Sequence, residues 1–188
     1  MDLKEQLSRF VPVNEQEQRD KEQIQRWLDS GTDIYTRQNN TAHLTASSWV
    51  VSPDRKQVLM VYHNLFQSWS WMGGHADGER NLSAVALREA KEESGLTELK
   101  PLSDEILSLE ILTVDGHVKR GSYVSSHLHL NVTYLFQANP AHPLRVKPDE
   151  NAGVCWFPVE ELPQRVTEPW MQSRIYEKIT KKVKDLGL

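Results

Sequence analysis

The spacing of apolar positions divides the chain near residue 40. Residues 14–30 (NEQEQRDKEQIQRWLDS) are polar and helix-forming, and Ile24, Trp27 and Leu28 fall at the i, i+3, i+4 spacing of one helical face. Asn14, three residues ahead of Glu17, has the form of a capping box, and Gly31 supplies a stop. Residues 1–39 therefore predict a helical extension that docks on the main body through a narrow apolar stripe. The polar stretch TRQNNT marks the boundary, with one domain expected over residues 40–188.

From His43 the pattern changes to short β-type runs. HLTASSWVV and KQVLMVY flank the turn-prone Ser52-Pro53-Asp54 and predict a hairpin, and SWSWM is a third short run. HADGERN reads as a loop through Asp77-Gly78. Asn81 then caps a helix from Leu82 to Ser94 that Gly95 ends. Further strands are expected at Ile106–Val114, at Leu128–Phe136, where apolar and polar residues alternate, and at Val154–Phe157. A helical turn at Glu160–Leu162 and a helix from Pro169 to Asp185 close the pattern, the latter with the seam Met171, Ile175, Ile179, Val183 and Leu186. Strands interspersed with few helices predict an α/β (α+β) sandwich with a mixed sheet.

Composition narrows the partners. Hydrophobic residues make up 38% of the 188-residue chain, enough for a core. No run approaches the roughly 18 apolar residues that span a bilayer, and MDLKEQLSRF lacks a secretory apolar block, so a cytoplasmic protein with no membrane partner is expected. Cys155 is the single cysteine, which excludes an internal disulfide and a Cys-cluster metal site and leaves small-residue packing as its role. A net charge of −4 gives no attraction to nucleic-acid backbones. A small phosphate ester, bridged to the protein by a cation, is the expected substrate class.

The chemistry concentrates in GHADGERNLSAVALREAKEESGL, residues 74–96. At about 100° per residue, Glu89, Glu92 and Glu93 share an arc of about 100° on one helix face. No lysine within that arc offsets their charge. A solvated acidic face is the plain reading of such a string, but Leu82 and Val85 occupy the same sector, which turns this side toward apolar surface. A divalent cation with oxygen ligands, magnesium or manganese, compensates such a cluster.

The run Gly74, Arg88, Glu89, Glu92, Glu93, Gly95, Leu96 resembles the Nudix box, a glycine followed fourteen residues later by R-E-U-x-E-E-x-G-U with U bulky and aliphatic. Two positions depart from it. Ala90 is a small U residue, and the family's further glutamate is replaced by Arg80, with Glu79 one residue early. The likeness extends over about residues 41–165, including the closing pattern GVCWFPVEEL.

The resemblance implies a Nudix-like α/β/α sandwich and a pyrophosphohydrolase that uses Mg2+ (or Mn2+) to cleave the diphosphate linkage of a small nucleoside diphosphate derivative. By it Glu92 and Glu93 are the first metal ligands, Glu89 joins them as ligand or as part of the base machinery, Gly74 offers its carbonyl and Glu79 takes the displaced role. Arg88 is expected to orient a neighbouring carboxylate.

The family's use of another acidic residue ahead of the late strand brings forward Glu150 and Asp149, although KPDEN reads equally as a solvated loop. Gly73-Gly74 permits unusual backbone angles and close approach of the main chain, or is an ordinary turn. His75 is a candidate phosphate contact. Trp69 and Trp71 are candidates for stacking on a base or sugar, and tryptophans in such runs also complete cores. His127 and His129 have the i, i+2 spacing of a metal pair, for which cross-strand polar packing is the plainer explanation. Lys178, Lys181, Lys182 and Lys184 read as a charged face near a helix end.

Two rivals keep the fold and change the function. A regulatory domain without catalysis fits the displaced Glu79. An isoprenyl-diphosphate isomerase uses an early cysteine, which Cys155 does not match. A homodimer through the N-terminal helix is the alternative to that helix covering its own sheet.

Overall fold

The computed structural model describes residues 2–119 and 121–186. Helices α1 (Leu3–Arg9) and α2 (Glu15–Asp29) precede strands β1 (Ala42–Val51), β2 (Gln57–His63), β3 (Ser68–Ser70) and β4 (Met72–His75). Helix α3 (Leu82–Ser94) follows, then β5 (Lys100–Pro101), β6 (Ser108–Val114), β7 (His117–Lys119), β8 (Ser122–Val124), β9 (His127–Gln137) and β10 (Asn151–Pro158). A 3-10 turn at Val159–Glu161 leads into the short α4 (Leu162–Arg165). A π-helical stretch at Met171–Tyr176 then runs into α5 (Glu177–Asp185).

Among the described residues the main sheet holds eight strands, with β10, β2, β1, β9 and β5 in order and β3, β4 and β6 paired on β2, β1 and β9. It is mixed, because β1 and β9 run parallel from Ala42↔Leu128 to Val51↔Gln137 while the other pairs are antiparallel. The expected hairpin of β1 and β2 forms only at its turn end, Val50↔Leu59 and Val51↔Val58. Upstream of that point β1 exchanges β2 for β4, with Ala46 opposite Gly74.

Alternation along β1 sends its residues to two cores. Leu44, Ala46 and Val50 face the layer that holds α3, where Leu82, Val85, Ala86 and Ala90 are buried. Trp49 and Val51 face the other layer with Ile175, Tyr176, Ile179 and Val183 of the C-terminal helix. Each leucine, valine or isoleucine among them, fully buried, contributes about 1.5–3 kcal/mol. Cys155 packs against this second core, as its size suggested, whereas Leu186, assigned to the apolar seam, is exposed.

The N-terminal segment contains one more helix than the pattern indicated. α1 is too short to show periodicity, yet Leu3 and Leu7 are buried in the first core beside Ile24. α2 begins at the expected cap, with Asn14 Oδ1 accepting from Glu17 N at 2.9 Å. It lies along the open edge of β6, where Gln16 Nε2 donates to Leu109 O at 2.9 Å and Ile111 N donates to Asp20 Oδ2 at 3.0 Å. Side chains thereby occupy backbone groups that would otherwise template aggregation.

Two of the C-terminal lysines belong to this contact and not to a solvated face. Lys178 lies 3.2 Å from Glu17 and 3.1 Å from Glu110, and Lys182 lies 2.6 Å from Glu17. The hairpin of β7 and β8 has no counterpart in the sequence pattern, since HVK and SYV are too short to carry one.

Candidate active site

Helix α3 is held at both ends by its own sequence. Asn81 Oδ1 accepts from Ala84 N at 3.2 Å, and Gly95 closes the helix in the left-handed conformation at φ 74°. Ser48 Oγ of β1 donates to Ala86 O at 2.6 Å, which fixes the rotation of the helix on the sheet. That rotation turns Glu89 and Glu93 toward β4 and leaves Glu92 at the rim.

Gly73 and Gly74 lie in β4 and not in a turn. Their need for glycine is one of space. A Cβ on Gly74 would stand 2.5 Å from Cδ of Glu89, and one on Gly73 would stand 2.6 Å from Ser47 Oγ. Gly73 N donates to Glu93 Oε1 at 2.9 Å. Glu93 is only 3% exposed, and burial pushes its carboxyl up to about 8, against the pull of the Gly73 N–H.

A third carboxylate arrives from outside the box. Oxygens of Glu89, Glu93 and Glu150 lie within 4.8 Å of one another. Glu150 is presented by the tight turn Lys147–Asn151, closed by Glu150 N and Asn151 N donating to Lys147 O. Asn151, itself buried, donates through Nδ2 to the main-chain carbonyl of Glu93 at 3.0 Å, which ties this turn to α3. Arg145 N donates to Ser94 O at 2.8 Å as a second tether.

Basic groups border the cluster. Arg88 Nη2 donates to Glu89 Oε1 at 2.8 Å. Lys147 Nζ lies 3.2 Å from Glu92 and 3.0 Å from Glu150. Burial alone would lower the Lys147 pKa, but the hydrogen bonds to Glu150 and Glu92 outweigh it and raise the value, so the ammonium stays charged. The missing counter-charge on the acidic face is thus supplied from a distant loop. Lys147 and Asn151 carry no signal of their own in the sequence, although they are the first and last residues of the KPDEN segment that draws attention to Glu150.

The remaining candidates are placed elsewhere. Glu79 caps its own turn, accepting from Asn81 N at 2.7 Å, and is not brought into the carboxylate group. Arg80 lies over the Tyr35 ring at 4.6 Å, and Arg37 grips Asp77 through two bonds of 2.7 Å, so the loop is pinned to the segment before β1. Trp71 is buried in the second core with its ring edge-on to Tyr176 at 5.4 Å. Trp69 is half-buried between Tyr62 and Phe157. His75 turns to the face opposite Glu89, where it meets His43 and His129. His43 has no distinguishing signal in the sequence; burial pushes its imidazole below the ordinary pKa.

The donor set fits a hard cation. Three carboxylates converge, one of them buried with a carboxyl whose charge the surrounding protein disfavours, which is the chemistry a bound magnesium or manganese ion compensates.

Comparison with known proteins agrees with this geometry. The family model described as NUDIX domain matches residues 41–179. No functionally curated protein matches the sequence. Solved structures share the fold at low identity. An Ap4A hydrolase from C. elegans is 19% identical, with 76% of this chain and 96% of that one covered at a TM-score of 0.53. The E. coli dihydroneopterin triphosphate pyrophosphohydrolase is 14% identical, with 81% and 99% covered at a TM-score of 0.55. A MutT protein from Methanosarcina mazei Go1 is 12% identical, with 80% and 99% covered at 0.55. No helix among the described residues is long and apolar enough to cross a membrane. With Glu89 and Glu93 of the box turned onto the sheet and a family model matched over residues 41–179, this chain belongs to the Nudix family of pyrophosphohydrolases.

Proposed function

We propose that the protein is a metal-dependent hydrolase that cleaves the diphosphate linkage of a nucleoside diphosphate derivative at the Glu89, Glu93 and Glu150 cluster. The observation that carries this reading is the convergence of those carboxylates within 4.8 Å, Glu93 among them being buried. Glu89 and Glu93 would hold the ion from the helix and Glu92 from its rim, with the Gly74 carbonyl nearby. A divalent ion supplies neutralisation of charge on the diphosphate oxygens and a lowered pKa for attacking water.

The chain's own groups do the rest. Arg88 holds Glu89 Oε1, and Gly73 N–H holds Glu93 Oε1, so both carboxylates are preset. Glu150, coming from a loop across from the helix, is assigned as the base that takes the proton of the attacking water. Lys147, between Glu92 and Glu150, would offer its ammonium to a substrate phosphate.

A panel of dinucleoside polyphosphates, nucleotide sugars, ADP-ribose, oxidised nucleotides and dihydroneopterin triphosphate, assayed with Mg2+ or Mn2+, tests the reading. Turnover of at least one compound, reduced by orders of magnitude in both Glu92→Gln and Glu93→Gln with the fold intact, is expected. Undiminished activity in both variants would refute the assignment.

One observation favours a second reading. Arg80 stands where the family has a glutamate and stacks on Tyr35, so the site lacks one acid. Tight binding of one nucleotide with no turnover would make the domain a ligand-binding regulator.

A further inference from the structure

We infer that His43, His75 and His129 form a second metal site, for a borderline transition ion of the Zn2+ class, back to back with the carboxylate cluster across β4. The three residues come from three strands. His43 and His129 are direct partners in the parallel pairing of β1 with β9. His75 is the partner of Thr45 on β4, which puts it on the same sheet face as His43 two residues away. One ring nitrogen from each lies within 4.8 Å of the others, and their ring centroids are 4.9–5.2 Å apart.

The decisive feature is His43. It is 4% exposed, and its Nδ1 is 2.9 Å from Asn39 O, so that nitrogen carries the proton and donates it. Nε2 is then a bare acceptor, is buried, and has no hydrogen-bond partner. Leaving such an atom unmet costs about 1–3 kcal/mol. A metal ion repays that cost, and a ring whose other nitrogen donates to a backbone carbonyl is the usual form of a metal-ligating histidine.

His127 adjoins the set through His129. Its Nδ1 is 2.8 Å from Ser125 O, and its Nε2 is 3.2 Å from Nε2 of His129. Two ligands on a tetrahedral zinc, with bonds of about 2.0–2.1 Å, are separated by about 3.3 Å. The separation of His127 from His129 therefore matches that of two ligands on one ion, but His127 stands outside the three-nitrogen group of His43, His75 and His129. Imidazole donors select zinc, nickel or copper over magnesium, whereas the carboxylates on the far side of β4 select magnesium or manganese. The two sites consequently differ in the ion they hold, and neither depends on the other being correctly assigned. An ion here ties β1, β4 and β9 together at the end of the strand that carries Gly74.

The test uses the tag-free full-length protein, stripped with chelator and dialysed against Zn2+ in a large excess of MgCl2, with Co2+ as a spectroscopic substitute. One retained zinc per chain is expected in the wild type and in Glu93→Gln, together with visible Co2+ bands of nitrogen coordination and a higher Tm with zinc. His43→Gln, His75→Gln and His129→Gln should each retain less than a tenth of that zinc, with circular dichroism reporting the fold. His75 and His129 are less buried, so their variants decide the matter if His43→Gln fails to fold. No retained zinc in the wild type overturns the inference, as does zinc retained equally by the folded histidine variants or lost only in Glu93→Gln.

Discussion

The α-carbon of Gly74 faces the carboxylate of Glu89 so closely that a Cβ there would lie 2.5 Å from Glu89 Cδ. Gly74→Ala should therefore expel Glu89 from the cluster while leaving strand pairing intact, because the glycine sits in ordinary extended backbone. Turnover is expected to fall by about 10²-fold or more, with the apparent Mg2+ requirement raised. Kinetics at several Mg2+ concentrations, with Tm as the control, check this. Unchanged activity would show that Glu89 has room to move.

Glu93 makes stability depend on pH in the metal-free protein. Its carboxyl is pushed up to about 8 in the fold from an ordinary 4.5, first by burial. Between those values the folded chain keeps a proton that the unfolded chain has released, so stability falls as pH rises through this window. A loss of about 1–4 kcal/mol between pH 5 and pH 8.5 is expected, because each tenfold difference in proton affinity between the folded and unfolded chain is worth ~1.4 kcal/mol. Urea denaturation in EDTA measures it. Glu93→Gln should flatten the slope, and so should saturating Mg2+, which stabilises the ionised carboxylate.

Asn151 is the tether between the KPDEN turn and α3. Removing its amide leaves the Glu93 carbonyl unmet in a buried position, and Asn151→Ala should cost about 1–3 kcal/mol of stability. The same change frees the turn that presents Glu150. Turnover should fall further than in a variant destabilised equally at a remote core position such as Ile179→Val, which separates misplacement of Glu150 from general loss of stability.

Glu17 joins the N-terminal segment to the last helix. Burial raises its carboxyl pKa, but attraction to Lys178 and the hydrogen bond from Lys182 outweigh burial and leave it lowered. At Lys182 burial prevails instead and its pKa is lowered. The acid-side effect is therefore assigned to the carboxylate. A lowered carboxyl contributes stability above its ordinary 4.5 that is lost as pH falls below it. Glu17→Gln should cost about 3–5 kcal/mol at neutral pH, since it leaves the half-buried Lys182 without its carboxylate and Lys178 with Glu110 alone. Its stability should fall less steeply on acidification than that of the wild type.

Removal of residues 1–38 uncovers the β6 edge and the core surface under Leu3, Leu7 and Ile24. Light scattering should show aggregation of the truncated chain. A stable, monodisperse product would instead favour an extension that serves a partner subunit.

What could be read along the chain is what short-range geometry controls. The spacing of Glu89, Glu92 and Glu93, the caps at Asn14, Asn81 and Gly95, and the alternation of β9 depend on residues within a turn or two of one another, and the helices and strands they predict are present. Helical periodicity also anticipated that Leu82 and Val85 would draw the acidic face toward the sheet. Which carboxylates meet was decided by packing. The rotation of α3 on Ser48 buries Glu93 and leaves Glu92 to Lys147, and a turn more than fifty residues later brings in Glu150 while Glu79 folds back on its own loop. The histidine cluster has the same origin. His43, His75 and His129 are far apart in sequence, and only the parallel register of β1 with β9 and the exchange of β2 for β4 along β1 place them on one face. Strand pairing is a long-range choice made by the burial of two cores at once, and a strand's own pattern says which face is buried without naming the partner it is matched against.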